Sequence, residues 1–156
     1  MNYNEQIITT FYTAFQQRDY KTMQSCYADN ATFGDAVFVD LNAKEVRAMW
    51  EMLCIKGKDL QLEFKNVKAD EKSGSAEWIA TYSFSKTNRK VINRIQADFS
   101  FANGKITRHR DHFNFYAWAK QALGLPGILL GWTNGLKEKV RAEGKKNLIA
   151  FMENIK

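Results

Sequence analysis

The strongest constraint on the fold of this chain is a run of alternating apolar and polar residues in its middle, between residues 58 and 115. Successive side chains of a strand point to opposite faces of a sheet, so a period of two indicates strands with one buried face. In the first segment the alternation slips by one residue after Phe64. The pair Asn103-Gly104 is the strongest short signal for a hairpin. The pattern therefore predicts four consecutive antiparallel strands, within LQLEFKNVKA, SAEWIATYSFS, VINRIQADFSF and KITRHRDHFNF.

Three helices are predicted before these strands, because apolar residues there recur at helical spacing. Asn2 and Glu5 form a capping-box pattern at the start of the first helix. Asp19 can cap a short second helix, and Asn42 begins the third. Between them, YADNATF is typical of a polar turn, and residues 31–40 (ATFGDAVFVD) favour a first strand. This order predicts an α+β fold in which helices pack on one face of a curved sheet and enclose a pocket.

The length and composition favour one globular domain with a hydrophobic core. We expect a single domain over residues 1–156, in which residues 116–156 form a C-terminal helical extension. No signal peptide is evident, and the most apolar run is too short to span a bilayer, which favours a soluble, cytoplasmic protein without a membrane partner. Cys26 and Cys54 lack the paired spacing of a disulfide or zinc framework, so we expect buried free thiols.

The net charge of +6 raises the question of nucleic-acid binding. Half of this excess lies in the segment 136–156, and the rest is spread over the remainder of the chain. A dedicated nucleic-acid surface concentrates its positive charge, whereas a basic pI alone indicates weak attraction to polyanions. We therefore expect no nucleic-acid partner.

Both histidines of the chain lie in the segment HRDHFNF (109–115). If this segment is a strand, His109 and Asp111 share a face with the apolar Phe113 and Phe115, and this face points to the core or pocket. The opposite face carries Arg108, Arg110, His112 and Asn114. A two-histidine metal site needs both rings on one side, so no metal is expected. A kinase-type catalytic loop would need an Asn five residues after the Asp and a Gly-rich loop, which the chain lacks.

Two interpretations of His109 and Asp111 remain open from the residues alone. Polar neighbours two residues apart on an apolar strand face can share a pocket and perturb each other's pKa, as an acid/base pair requires. Alternatively, the histidine is a core residue with satisfied hydrogen bonds, and Asp111 bonds a helix end.

The run FYTAFQQRDYKTMQSCYADNATFGD, followed by a Trp-bearing helix and four strands, resembles the nuclear transport factor 2-like superfamily. This superfamily includes SnoaL-like polyketide cyclases and ketosteroid isomerases. The resemblance covers roughly residues 4–118, and its most specific part is YADNATFGD, which ends in Asp35. The segment DHFNFYAWAKQALGLPGILLGW is similar to a bacterial SnoaL-like subgroup. The resemblance implies a cone-shaped α+β fold, but the superfamily contains enzymes, binding modules and scaffolds alike.

The ketosteroid isomerase pattern matches this chain only in part. Asp35 stands where those enzymes carry their general base. Their two oxyanion donors, a tyrosine on the first helix and a protonated aspartate on a strand, align with Phe11 and Ala97. Removing even one such donor typically slows a reaction about 10²–10³-fold. Steroid isomerisation of that type is therefore not expected.

SnoaL-like cyclases use an acidic residue near the last strand, with a histidine nearby, for an aldol closure. The resemblance thus implies Asp35, His109 and Asp111 as catalytic candidates. Epoxide hydrolases of this fold use an Asp-Arg-Asp arrangement. Arg94 and Arg110 do not complete it here, because the alternation places both on the outer face of their predicted strands. The alignment implies that the pocket is lined by Phe11, Phe15, Tyr27, Trp50, Phe64, Trp78, Tyr82, Asn93, Ile95, Phe99 and Phe113.

Two functional hypotheses follow. The first is a cofactor-free acid/base enzyme, an isomerase, cyclase or hydrolase acting on a small apolar, carbonyl-type ligand. The second is a non-catalytic ligand carrier or dimeric interaction module of the same fold, which the two missing oxyanion donors favour. The resemblance also implies a homodimer, because family members commonly dimerise through the outer sheet face. Asp35 could equally bond a backbone amide in the turn that follows it. Trp118, Trp132 and the segment GLPGILLGW could cover the pocket mouth or form dimer contacts.

Overall fold

The computed structural model describes residues 1–155, and Lys156, the last residue of the expected domain, lies outside the described residues. The chain between these limits combines six helices with one mainly antiparallel sheet, in which four strands are consecutive, so the predicted α+β class is confirmed. The helices are α1 (Tyr3–Gln16), α2 (Tyr20–Ser25), α3 (Ala43–Lys56), α4 (Phe115–Leu123), α5 (Leu125–Leu130) and α6 (Asn134–Asn154). The strands are β1 (Tyr27–Gly34), β2 (Leu41–Asn42), β3 (Gln61–Ala69), β4 (Ser73–Phe84), β5 (Arg89–Ala102) and β6 (Lys105–His112).

The strands form one sheet in the order β2-β1-β6-β5-β4-β3. Strands β3 to β6 are consecutive and antiparallel, as the alternating pattern predicts, whereas β1 pairs in parallel with β6. Strand β6 is therefore an interior strand. Its residue His109 lies in register with Phe33 on β1 and with Phe99 on β5.

Strand β1 has different bounds from those that the sequence indicates. It already begins at Tyr27, where the amide of Ile106 donates to the carbonyl of Cys26 at 2.8 Å. It ends at Gly34, because the Asp35 carboxylate accepts the amides of Val37 and Phe38 and closes a turn. The predicted polar turn at YADNATF and the predicted strand to residue 40 are therefore wrong.

The local signals for helix starts and turns are confirmed. Asn2, Asp19 and Asn42 cap α1, α2 and α3, and Asn42 forms a complete capping box with Glu45. Asn103 and Gly104 connect β5 to β6 with positive φ angles of 51° and 75°, as a tight hairpin turn requires. The slip of alternation in β3 corresponds to an irregularity in its pairing with β4.

The three C-terminal helices extend the cone beyond the last strand. Helix α4 packs on β5, where Trp118 and Ala119 form a small core cluster with Val91. Helix α6 is much less buried, and its buried side chains are Leu148 and Phe151. No helix in the described part of the chain is both long and apolar enough to cross a membrane.

Arg18, between α1 and α2, anchors the loop that follows α3. Its guanidinium donates hydrogen bonds to the carbonyls of Cys54, Gly57, Lys58 and Leu60. A guanidinium can serve several acceptors at once because its five N–H groups diverge in one plane. The loop reaches from the end of α3 to the start of β3 and is held against the first two helices by this one side chain.

We predict that Arg18→Met lowers the free energy of unfolding by about 2 kcal/mol, because it leaves several carbonyl groups without their charged donor. Lys21→Met, a matched change of an exposed cation on α2, should change the stability by less than about 0.5 kcal/mol. Urea unfolding of both variants measures the difference. Equal losses in the two variants would show that the Arg18 hydrogen bonds do not stabilise the loop.

Candidate active site

A cavity of about 970 Å³ lies between the concave face of the sheet and helices α3, α4 and α6. This volume is at the upper end of the range for small-molecule sites, about 300–1,000 Å³. Most of the residues around it are apolar, and four carboxyl groups border it: the buried Asp111, the half-buried Asp35, and the exposed Asp59 and Glu143. Charged residues also occur among the bordering side chains, including Lys56, Asp59 and Lys139.

Nine of the residues that the sequence suggests for the site border this cavity. They come from five different elements, from the turn after β1 and from the link between β6 and α4, which shows that the fold brings distant segments together. These residues are Phe15, Asp35, Trp50, Trp78, Tyr82, Asn93, Ile95, Asp111 and Phe113.

Five other residues expected at the site lie behind the cavity wall. Phe64 stacks on Tyr12, with ring centroids 5.5 Å apart. The others are Phe11, Tyr27, Phe99 and His109, which are all buried in the main core. His109 itself is fully buried, so it does not meet a ligand in the cavity directly.

His109 belongs to a buried chain of hydrogen bonds. The indole N–H of Trp50 donates to the hydroxyl oxygen of Tyr27 at 2.8 Å. The Tyr27 hydroxyl is 2.8 Å from Nδ1 of His109, and Nε2 of His109 is 3.0 Å from a carboxylate oxygen of Asp111. We name this set of four residues the Trp50–Asp111 chain.

The direction of each hydrogen bond in the Trp50–Asp111 chain follows from its ends. An indole N–H can only donate, and an ionised carboxylate can only accept. The Tyr27 oxygen therefore accepts from Trp50, its hydrogen points to Nδ1 of His109, and Nε2–H of His109 donates to Asp111. This order of donors and acceptors assigns the donor role to Nε2 of His109 and the acceptor role to Nδ1, and it orients the Asp111 carboxylate at the cavity wall.

Aromatic rings enclose the imidazole of His109. Phe99 and Phe33 are the nearest, with centroids 4.3 Å and 5.0 Å from that of the imidazole. Phe11 meets it edge-on at 5.7 Å, and the rings of Tyr27 and Trp50 lie nearly parallel to it. This packing fixes the plane of the imidazole ring, and with it the direction of the hydrogen bond to Asp111.

Asp35 faces the same cavity from the turn after β1. One carboxylate oxygen accepts the amides of Val37 at 2.8 Å and Phe38 at 2.7 Å, so Asp35 shapes the turn as well as bordering the cavity. Burial and the negative charge of Asp111 together raise the pKa of Asp35 to about 7, against the lowering effect of these hydrogen bonds and of Arg141.

Tyr82 supplies a hydroxyl group at the cavity wall. The indole N–H of Trp118 donates to this hydroxyl at 2.8 Å, which ties α4 to β4. Burial raises the pKa of Tyr82, which therefore stays protonated near neutral pH.

Several cavity residues were not expected from the sequence. On α3, Met49 and Leu53 share the helical stripe of Trp50, and this periodicity could have identified them. Pro126 on α5 and Val140 on α6 also border the cavity. Pro126 belongs to GLPGILLGW, the segment expected either to cover the pocket mouth or to form dimer contacts. No local signal identifies Val140, because the position of α6 depends on packing against distant parts of the chain.

The outer face of β6 carries the remaining polar residues of HRDHFNF. His112 is exposed and pairs with Asp98 at 3.1 Å. The Arg110 guanidinium donates to the hydroxyl of Thr32 and to the carbonyl of His109. Among residues 1–155, no group of three or more His, Cys, Asp or Glu side chains is placed to hold a metal ion. None of the described residues around the cavity is an arginine, so the Asp-Arg-Asp arrangement is not assembled there.

The fold and the cavity place this chain in the nuclear transport factor 2-like superfamily. The model of the SnoaL-like domain family matches residues 8–109, and the chain belongs to this family. A comparison with curated protein sequences gave no match.

Solved structures show the same fold at low sequence identity. An LEH-like epoxide hydrolase from M. tuberculosis is 20% identical, with a TM-score of 0.61 over 80% of this chain and 93% of that chain. IdmH from Streptomyces antibioticus, assigned as a polyketide cyclase, is 15% identical, with a TM-score of 0.63 over 77% and 97%. TerC, co-crystallised with polyporic acid, is 12% identical, with a TM-score of 0.64 over 77% and 98%.

We predict that Tyr27→Phe lowers the free energy of unfolding by about 1–3 kcal/mol, because it leaves the buried N–H of Trp50 and Nδ1 of His109 without partners. The matched control is Tyr12→Phe, since the buried hydroxyl of Tyr12 has no hydrogen-bond partner. That control should be neutral or slightly stabilising. Urea unfolding of the two variants compares them, and equal stabilities would contradict the Trp50–Asp111 chain.

We also predict a pH dependence that belongs to Asp35. Its pKa is about 7 in the folded state and near the ordinary 3.8 when unfolded, so the folded state binds this proton more tightly. The proton on Asp35 therefore stabilises the folded state. This stabilisation is fully present below pH ~4 and is lost as the pH rises to about 7. Asp35→Asn keeps the acceptor oxygen of the turn but cannot ionise.

Urea unfolding at several pH values tests this assignment. The stability of the wild type relative to Asp35→Asn should fall between pH ~4 and pH ~7 and then level off. A difference that does not change with pH would show that Asp35 titrates alike in the folded and unfolded states.

Proposed function

We propose that this SnoaL-like protein binds a small apolar, carbonyl-bearing ligand and transfers protons on it without a cofactor. Asp111 would serve as the general base and Asp35 as the general acid. The observation that carries this proposal is that two carboxyl groups in different environments face one largely apolar cavity. Pairs of titratable groups with different surroundings are the usual way in which an active site divides acid and base roles.

Asp111 suits the role of the base because of its orientation. Its carboxylate accepts the Nε2–H of His109, whose ring is fixed by the surrounding aromatic side chains. A base that is held in one direction can meet the C–H bond beside a carbonyl group without a reorganisation at the moment of reaction. His109 and Tyr27 would support this orientation rather than contact the ligand.

Asp35 suits the role of the acid because of its pKa of about 7. Near neutral pH a large fraction of Asp35 carries a proton, which it can donate to a carbonyl or enolate oxygen. The hydrogen bonds from Val37 and Phe38 engage only one of its oxygens, Oδ1. The second oxygen is then the one to carry the transferable proton.

The cavity wall indicates the class of ligand. Trp50, Trp78 and Phe113 supply aromatic surface, and Asn93 and Tyr82 add polar groups that could orient a ligand oxygen. The similarity to IdmH and to TerC, which was co-crystallised with polyporic acid, supports a cyclic organic ligand of this kind. Enolisation or cyclisation fits the site better than epoxide opening, since the cavity lacks the arginine among its described residues.

A non-catalytic ligand carrier is the second candidate, and one observation favours it. Phe11 and Ala97, at the positions where ketosteroid isomerases carry oxyanion donors, are fully buried apolar residues. In this alternative the same cone holds the ligand, residues 116–155 cover it, and the outer sheet face forms a homodimer. The catalytic proposal differs from it in requiring both carboxyl groups to act on the ligand.

Hydrogen–deuterium exchange of cyclic aryl ketones in D₂O, followed by ¹H NMR, tests the proposal. We predict that the wild type accelerates exchange at the carbon beside the carbonyl and that Asp111→Asn lowers this acceleration at least about 100-fold. Asp35→Asn should lower it as well, and the wild-type rate should fall as the pH rises through about 7 because Asp35 loses its proton.

Asp29→Asn is the matched control, because Asp29 is an exposed carboxylate outside the cavity that pairs with Arg47. It should leave the exchange rate unchanged. If the ketones bind to the wild type but no exchange is accelerated, the catalytic proposal fails and the carrier is favoured.

A further inference from the structure

An exposed apolar patch lies on and directly after α5. Large apolar side chains usually avoid water, and a contiguous group of them on a surface marks an interaction site. Trp132, Leu125 and Leu129 are the most exposed of these side chains, at 75%, 66% and 59%. We name this group the α5 patch, and its members are Leu125, Ile128, Leu129, Leu130 and Trp132.

The backbone under the α5 patch is firmly held, so the side chains project outward in a fixed arrangement. Gly127 packs directly on the carbonyl of Ala119, where a Cβ atom would overlap. The Tyr116 hydroxyl donates to the carbonyl of Ile128 at 2.9 Å. The indole N–H of Trp132 donates to the carbonyl of Leu129 at 3.0 Å.

The surroundings of the α5 patch are cationic. Between residues 112 and 137 the sequence contains no Asp or Glu. Lys120 lies over the ring of Tyr116, Lys137 over the ring of Phe115, and the Arg89 guanidinium donates to the carbonyl of Gln121 on α4. An apolar surface bordered by cations complements a surface that presents apolar chains below a layer of negative charge.

Charge decides between a lipid surface and a second copy of this chain. In a symmetric dimer the same patch faces itself, which would bring Lys120, Lys137 and Arg89 of both copies together. Glu138, which follows Lys137, is already paired with Arg141. Anionic lipid headgroups would neutralise these cations instead. Trp132 fits this environment too, since an indole ring favours the interface between acyl chains and water.

We propose that the α5 patch docks the protein on an anionic lipid surface, with its apolar side chains at the boundary of the headgroups and acyl chains. The expectation that the chain has no membrane partner considered only segments that span a bilayer, and docking of this kind needs none. Leu123 and Pro126, on either side of the start of α5, border the cavity, so its rim would lie against the lipid. The proposal rests on exposed residues and does not depend on the activity of the cavity.

Sedimentation with sucrose-loaded vesicles tests the proposal on the full chain. The vesicles are phosphatidylcholine alone or phosphatidylcholine with about one third phosphatidylglycerol, a composition that supplies the anionic surface. We expect the wild type to bind the anionic vesicles, to release at high salt, and to bind the neutral vesicles at least about tenfold more weakly. The double variant Leu129→Glu/Trp132→Glu should lose at least about tenfold in binding to the anionic vesicles.

The matched control is Ile55→Glu, which places a new acid at an exposed apolar residue on α3. It should bind the anionic vesicles like the wild type, and circular dichroism checks that both variants are folded. Equal binding by wild type and double variant would overturn the proposal, as would no binding by the wild type. Light scattering tests the alternative of a dimer by measuring the oligomeric state. If the wild type is a dimer that does not bind vesicles, and the double variant is a monomer, the patch binds a second copy of the chain and the lipid proposal is wrong.

Discussion

The Trp50–Asp111 chain is the interaction on which the candidate site depends. It joins α3, β1 and β6, three elements that are distant in sequence, through donors and acceptors that are buried and paired. A buried polar group without a partner costs about 1–3 kcal/mol, so the three contacts constrain one another. The orientation of Asp111 at the cavity is thus a property of the packed core.

The sheet topology makes this arrangement possible. Because β1 pairs in parallel with β6, His109 lies between Phe33 and Phe99 and is shielded from solvent. The turn that ends β1 then presents Asp35 to the cavity that Asp111 borders. One carboxyl group is positioned by the core and the other by a turn, which explains how they come to have different surroundings. Acid/base chemistry needs such a difference.

Much of this fold could be predicted from local patterns. The alternation identified the four antiparallel strands, and its slip after Phe64 matches the pairing irregularity near Asn66, whose φ is 55°. Strand parity placed His109 and Asp111 together on the inner face, where the structure shows them hydrogen-bonded. These features succeed because they depend on neighbours within a few residues.

Non-local features were not predictable in the same way. Tyr27 and Trp50 were expected as apolar parts of the pocket wall, but the Trp50 indole N–H and the Tyr27 hydroxyl form a buried hydrogen bond. The sequence does not reveal this bond, because the contact between α3 and β1 depends on tertiary packing. The early start of β1 depends on its parallel pairing with β6, which no local pattern reveals. The rim of the cavity likewise depends on where α5 and α6 pack.

The most direct test of the central claim is the tautomer of His109, measured by long-range ¹H–¹⁵N NMR near neutral pH. The Trp50–Asp111 chain predicts a proton on Nε2 and none on Nδ1, and a proton on Nδ1 would contradict it.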